Sequence, residues 1–248
     1  MFTTSVNIQN YLPETISYQL EKSQDPAYYE NLLYASAPEA ENSRESLFIW
    51  VTDLCTELDL SIATGYLACQ CLDKFLSRRP TTQRKIFELV GTVALIAVSK
   101  FKEGISISPE KIKNMLRGRF SVDAIVSTEK YMMQVIDWEL WQVTACDLIE
   151  SICEFTFGLN GTKRILDLSF SYAALCYTNL QLAHSGSYNI AVSSIYLALK
   201  KVANPSFRDE WLQTLGQDFV IDREKLGIVI ETVERRMGEF QANLKVII

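Results

Sequence analysis

Apolar positions recur along most of this chain with the period of a helix. Leu47, Phe48, Trp50, Val51, Leu54, Cys55 and Leu58 fall at i, i+1, i+3, i+4, i+7, i+8 and i+11, the wide apolar stripe of an amphipathic helix. A second helix is predicted over 61–77, with Ile62, Tyr66, Leu67 and Leu72 inward, closed by Arg78-Arg79-Pro80. The third, over 82–103, differs in kind. From Leu89 to Val98 every face is apolar or small, and Lys100 then stands at the end. A helix without a polar face is surrounded by other helices, and this one is too short to cross a bilayer, which needs about 20 apolar residues. A lysine that ends such a helix needs a partner. Gly104 stops the helix. Ser108-Pro109-Glu110 starts a short fourth one with a capping hydroxyl, a first-turn proline and an acid at the positive end. A fifth runs from Ser121 to about Trp138.

The pattern then restarts. Thr144-x-x-Asp147 reads as a helix start ahead of Leu148, Ile149 and Ile152, and further helices are predicted near 162–184, 188–202, 206–215 and 222–243. The third of this half is again the most apolar, and IYLALKK at 195–201 aligns with ALIAVSK at 94–100, setting Lys201 against Lys100. The predicted fold class is all-α: two tandem five-helix bundles preceded by a short N-terminal helix at Tyr28–Tyr34. The corresponding division is residues 1–40 as tail and short helix, 41–141 as the first bundle and 142–248 as the second, with the first 24 residues polar and irregular.

Composition narrows the chemistry. A net charge of −6 argues against direct nucleic-acid binding, which a basic face would dominate. No segment reads as a signal peptide or a membrane span. The six cysteines (Cys55, Cys69, Cys71, Cys146, Cys153, Cys176) lie inside helical patterns without a CxxC pair, so they read as small buried side chains of a reducing compartment. His184, the one histidine, reads as a helix-terminal polar residue. Neither a catalytic constellation nor a phosphate-binding glycine loop is present, so no enzyme, cofactor, metal or small-molecule substrate is expected.

The motifs resemble the cyclin family over about Asp25–Asn243, most strongly in the first bundle. SRESLFIWV at Ser43–Val51 is similar to the family's opening MRAILVDWL. Leu72–Ser77 carries its D-x-F-L element, Leu89–Thr92 its LVGT, Ser99–Glu103 its ASK[FY]EE, and Thr128-Glu129-Lys130 followed by VIDWEL its R-M-E-x-x-[IVL] region. The family's marker arginine, aspartate, leucine, lysine and glutamate fall at Arg44, Asp73, Leu89, Lys100 and Glu129.

That resemblance implies a non-catalytic regulatory subunit, nuclear and cytoplasmic, forming a heterodimer with a cyclin-dependent Ser/Thr kinase in cell-cycle control. It implies that Lys100 and Glu129 pair at the mouth of a groove and hydrogen-bond the kinase backbone at its C-helix. The groove would be lined by Ala97, Phe101, Met133, Trp138 and Leu140. Read from the residues alone, the alternative to binding for Lys100–Glu129 is a folding salt bridge, less favoured because the lysine closes an otherwise apolar helix, whereas Ala97 and Met133 are equally core. Arg44 and Asp73 are expected to join the first two helices as a structural pair. The family's substrate-docking patch retains Leu47 and Trp50, but Ser43 and Ser46 replace its methionine and isoleucine and Glu88 its glutamine. Two lost apolar contacts weaken such a pocket by on the order of a few kcal/mol, so docking of Arg-x-Leu substrates is expected to be degraded. Lys102 reverses a charge of the usual pattern. With no clear destruction motif in the N-terminal region, stable protein levels are expected. The alternatives are a transcription-associated cyclin and a helical adaptor that has lost kinase binding.

Overall fold

The computed structural model describes residues 14, 16–19, 38–79, 84–158, 163–183 and 185–247. The short helix expected at Tyr28–Tyr34 and His184 lie outside them. Among the described residues every regular element is helical, and no helix is long and apolar enough to cross a membrane. The chain divides into two units, residues 25–144 and residues 145–248 with 1–24. The N-terminal stretch read as irregular contains helical residues 16–19, with Ile16 fully buried. An apolar residue inside four helical positions is too short a signal for periodicity to register.

In the first unit α1 spans Pro38–Glu57, α2 Ile62–Arg78, α3 Phe87–Lys102, α4 Pro109–Met115 and α5 Val122–Val135, with a 3₁₀ turn at Arg84–Ile86 leading into α3. Pro38 is the first residue of α1, where its fixed φ and missing N–H suit a helix start. Ser61, Ser108 and Ser121 cap α2, α4 and α5 by accepting the amides of Thr64, Lys111 and Ala124.

The central helix is α3, which packs against α1, α2 and α5. All eleven residues from Leu89 to Ser99 are buried, as its all-round apolar pattern requires. Two glycines let helices approach closely. A Cβ on Gly91 would lie 3.0 Å from Val51 Cγ2 and 3.1 Å from Leu47 Cδ1, and one on Gly65 would lie 3.2 Å from Cys55 Sγ. Glu103 closes the end of α3 by accepting the Ser61 amide at 3.0 Å, so a carboxylate sits at the positive end of α2.

The second unit comprises α6 (Ala145–Phe157), α7 (Lys163–Thr178), α8 (Leu180–Ala183), α9 (Gly186–Val202), α10 (Pro205–Asp218) and α11 (Arg223–Ile247). The buried helix α9 packs against α6, α7, α10 and α11. The single helix expected over 162–184 is interrupted at Asn179, whose side chain accepts the Leu182 amide at 2.9 Å. That cap starts the one-turn α8, so the described residues from Ala145 onward form six helical segments instead of the five expected. All six cysteines are buried free thiols. Burial pushes Cys71, Cys153 and Cys176 up to about 12 and Cys55 up to about 11.

Candidate functional site

Lys100 is the first solvent-facing residue after eleven buried ones on α3. Its Nζ donates to Glu129 Oε1 of α5 at 2.6 Å. The two side chains are 40% and 25% exposed, so the pair borders the solvent. Ala97, Lys100 and Phe101 share one face of α3 by their i, i+3, i+4 spacing, and Val126, Glu129 and Met133 share one face of α5. Along these stripes Ala97 and Met133 are buried, whereas Phe101 is 50% and Val126 is 49% exposed. Trp138, just beyond α5, is 66% exposed, and Leu140 is half-buried. On its own two helices the ion pair is thus flanked by Phe101 and Val126, large apolar side chains held out in water. An isolated exposed Leu or Val needs no explanation, but an exposed aromatic next to a solvent-bordering charged pair resembles an interface.

Each charged group retains unused capacity. Lys100 has three N–H donors and Glu129 two carboxylate oxygens, and among the described residues one hydrogen bond joins them. A pair this open contributes about 0–1 kcal/mol to folding.

The Arg44–Asp73 pair shows the opposite balance. Arg44 Nε and Nη2 donate to Asp73 Oδ1 and Oδ2 at 3.0 and 2.7 Å. Both side chains are 2% exposed, and the guanidinium lies 3.8 Å over the Phe48 ring. Such a planar two-point contact fixes the angle of α1 against α2.

The docking-patch residues separate. Leu47 is buried against Gly91 and presents no surface. Trp50 and Glu88 line a cavity of about 490 Å³ with Leu54, Glu57, Met115, Arg117 and Arg119. Glu88 forms an ion pair with Arg119 there.

Two arrangements escaped the sequence reading. The first is in the second unit, where Lys200 at the end of α9 pairs with Glu234 of α11 at 2.5 Å. The repeat alignment set Lys201 against Lys100, but the ion pair is made one residue earlier. The second joins α2 to the segment after α5. Arg78 Nη1 donates to Val135 O and Asp137 Oδ2, both at 2.6 Å, and Lys74 pairs with Glu139. Lys74, a lysine within the largely apolar stretch from Tyr66 to Leu76, was the available signal.

Comparison with known proteins places these elements. A model described as cyclin, N-terminal domain, matches residues 14–141, or 128 of 248. The G2/mitotic-specific cyclin cig2 of Schizosaccharomyces pombe is 32% identical over 111 residues, covering 45% of this chain and 27% of that protein. The G1/S-specific cyclin-D1 of Danio rerio is 25% identical over 193 residues, covering 77% of this chain and 61% of that protein. The chain thus spans between about a quarter and three fifths of the length of these curated relatives. A solved viral cyclin from herpesvirus saimiri superimposes with a TM-score of 0.70 at 14% identity, over 94% of this chain and 97% of that one, a likeness of fold. The chain belongs to the cyclin family.

Proposed function

We propose that this cyclin is a non-catalytic regulatory subunit that binds a cyclin-dependent Ser/Thr kinase through the surface shared by α3 and α5. The observation that carries the reading is the Lys100–Glu129 pair, joined at 2.6 Å at the solvent border, with exposed Phe101 next to Lys100 in the chain and Trp138 exposed in the turn after α5. Lys100 has N–H groups to give and Glu129 a second oxygen to offer, so a partner's backbone carbonyl can accept from Lys100 and its N–H can donate to Glu129. Contacts to backbone suit a regulator because they do not depend on the partner's side chains. Exposed Phe101 and Trp138 supply the apolar area that drives association.

Activation follows from differential binding. A subunit that fits the active arrangement of a kinase C-helix better than the inactive one shifts the population toward the active state. The kinase's lysine–glutamate ion pair and its activation loop then take their working positions. Residues 41–141 are the kinase-binding bundle in this reading and 142–248 the second bundle, with residues 1–40 ahead of both; the site of action is the nucleus and cytoplasm. The altered patch, with Leu47 buried and Glu88 tied to Arg119, supports weak docking of Arg-x-Leu substrates.

The test is recovery of kinase by the wild-type chain and by a Lys100→Ala/Glu129→Ala double variant, from native extract and from purified cyclin-dependent kinases. Binding and stimulated phosphorylation by the wild type, with both reduced at least tenfold in the double variant, are expected. Equal recovery by both proteins removes the site assignment. Recovery of a kinase that phosphorylates transcription machinery selects the transcription-associated alternative, and no kinase with either protein selects the adaptor alternative.

A further inference from the structure

The turn after α5 is built in an unfavourable conformation. Asp137 and Trp138 are consecutive left-handed residues, with φ of 55° and 62°, and neither is glycine. A side chain in this region crowds the adjacent carbonyl, which is why glycine dominates such helix ends. The chain itself shows the easier solution. After α4, Arg117 and Gly118 have φ of 54° and 68°, and Gly118 N–H donates to Lys113 O at 2.8 Å. After α5 the equivalent bond runs from Trp138 N–H to Met133 O, also at 2.8 Å. Tryptophan therefore stands where the sister turn has glycine. Burial of the indole does not offset the strain, since Trp138 is 66% exposed.

What offsets it comes from α2. Arg78 holds the turn at two points, Val135 O and Asp137 Oδ2. Lys74, itself buried, pairs with Glu139 on the far side of Trp138, and Cys71 Sγ approaches Leu140 O at 3.8 Å. Strained residues persist where the surroundings over-determine them, and they concentrate at functional sites. An exposed aromatic fixed in this way meets a partner with little ordering left to do.

We propose that Arg78, seconded by Lys74, is a positioning residue for the partner interface: it clamps the strained 135–139 turn that presents Trp138. The inference rests on the kinase-binding reading above, because Trp138 must touch the partner for its presentation to matter.

The experiment is a double-mutant cycle on the full chain with Arg78→Ala and Trp138→Gly. The probe is a purified monomeric cyclin-dependent kinase that the wild type binds, and amide hydrogen exchange is measured on the free proteins. Arg78→Ala is expected to weaken binding about tenfold, the equivalent of one left-handed residue's strain, and to speed exchange at Trp138–Leu140. In the Trp138→Gly background, Arg78→Ala is expected to change affinity less than twofold, a coupling that a merely stabilising role would not produce. Asp137→Ala, which removes one of the two clamp contacts and leaves Val135 O, is expected to give the same pattern with a smaller loss.

Equal loss in both backgrounds means that Arg78 contacts the kinase itself and overturns the proposal. Undiminished binding by Arg78→Ala also overturns it, whether or not exchange at the turn changes. If the wild type binds no cyclin-dependent kinase, the kinase-binding reading fails and the interface role of Arg78 falls with it. If the wild type binds and the cycle shows no coupling, only the role of Arg78 fails.

Discussion

Two ion pairs of the first unit have the same sequence separation, 29 residues, and opposite surroundings, so they should answer mutation in opposite ways. Asp73→Asn keeps the shape of the side chain but removes the charge that the buried Arg44 guanidinium meets at two points. Both side chains are 2% exposed, so water cannot take over the lost role. Breaking a buried pair in this way costs about 3–5 kcal/mol. The stacking of Arg44 on Phe48 is retained and does not compensate for the charge. With a urea dependence of about 2 kcal/mol per molar, the unfolding midpoint of the first unit should fall by roughly 2 M.

Glu129→Gln is the matched control. Its pair with Lys100 is 25–40% exposed, and after screening by solvent it is worth about 0–1 kcal/mol, so the midpoint should move by less than about 0.5 M. Kinase affinity should reverse the order: Glu129→Gln is expected to lower it at least tenfold, whereas the Asp73→Asn protein, assayed well below its own midpoint, should bind normally. The assay is urea denaturation followed by circular dichroism, alongside kinase titration. An Asp73→Asn midpoint within about 0.5 M of wild type, or a Glu129→Gln shift equal to it, would refute the division into a structural and an interface pair.

Two further outcomes follow from the packing. Gly91→Ala places a Cβ 3.0–3.1 Å from Val51 and Leu47, and the overpacking penalty of about 1–3 kcal/mol should exceed the helix-propensity gain of about 1 kcal/mol. Thermal melts should show a net loss, and a rise in melting temperature would mean that α1 and α3 part easily. Burial pushes the Glu103 carboxyl up, but hydrogen bonds from Thr64 and Ser61 hold it below its ordinary 4.5 overall. A folded-state value below the unfolded one adds stability that is present above about pH 4.5 and is lost as pH falls through the folded value. Glu103→Gln should therefore flatten the fall of melting temperature below pH 4.5, and an unchanged slope would exclude the contribution.

The pattern along the chain marked α3 as central without any coordinates, because a helix apolar on every face has one stable place, inside a bundle. The cap at Ser108 and the helix start at Ser121 were legible for a similar reason, since capping involves atoms three residues apart. The break at Asn179 was not. Its signal is a single side chain choosing a local amide over solvent, within a stretch whose hydrophobic period continues on both sides.

Sequence by itself determined the helical class, the central helices and the five marker residues, because these depend on periodicity and on residue identity at fixed positions. Tertiary structure alone decided that Leu47 turns into the core while Trp50 lines a cavity, that Lys200 and not Lys201 pairs with Glu234, and that Arg78 reaches a turn 57 to 59 residues away. A helical repeat says which face of a helix is apolar. Which neighbour that face meets, and whether water reaches the charged group at its edge, depends on crossing geometry and close approach, and those are set only when the helices pack.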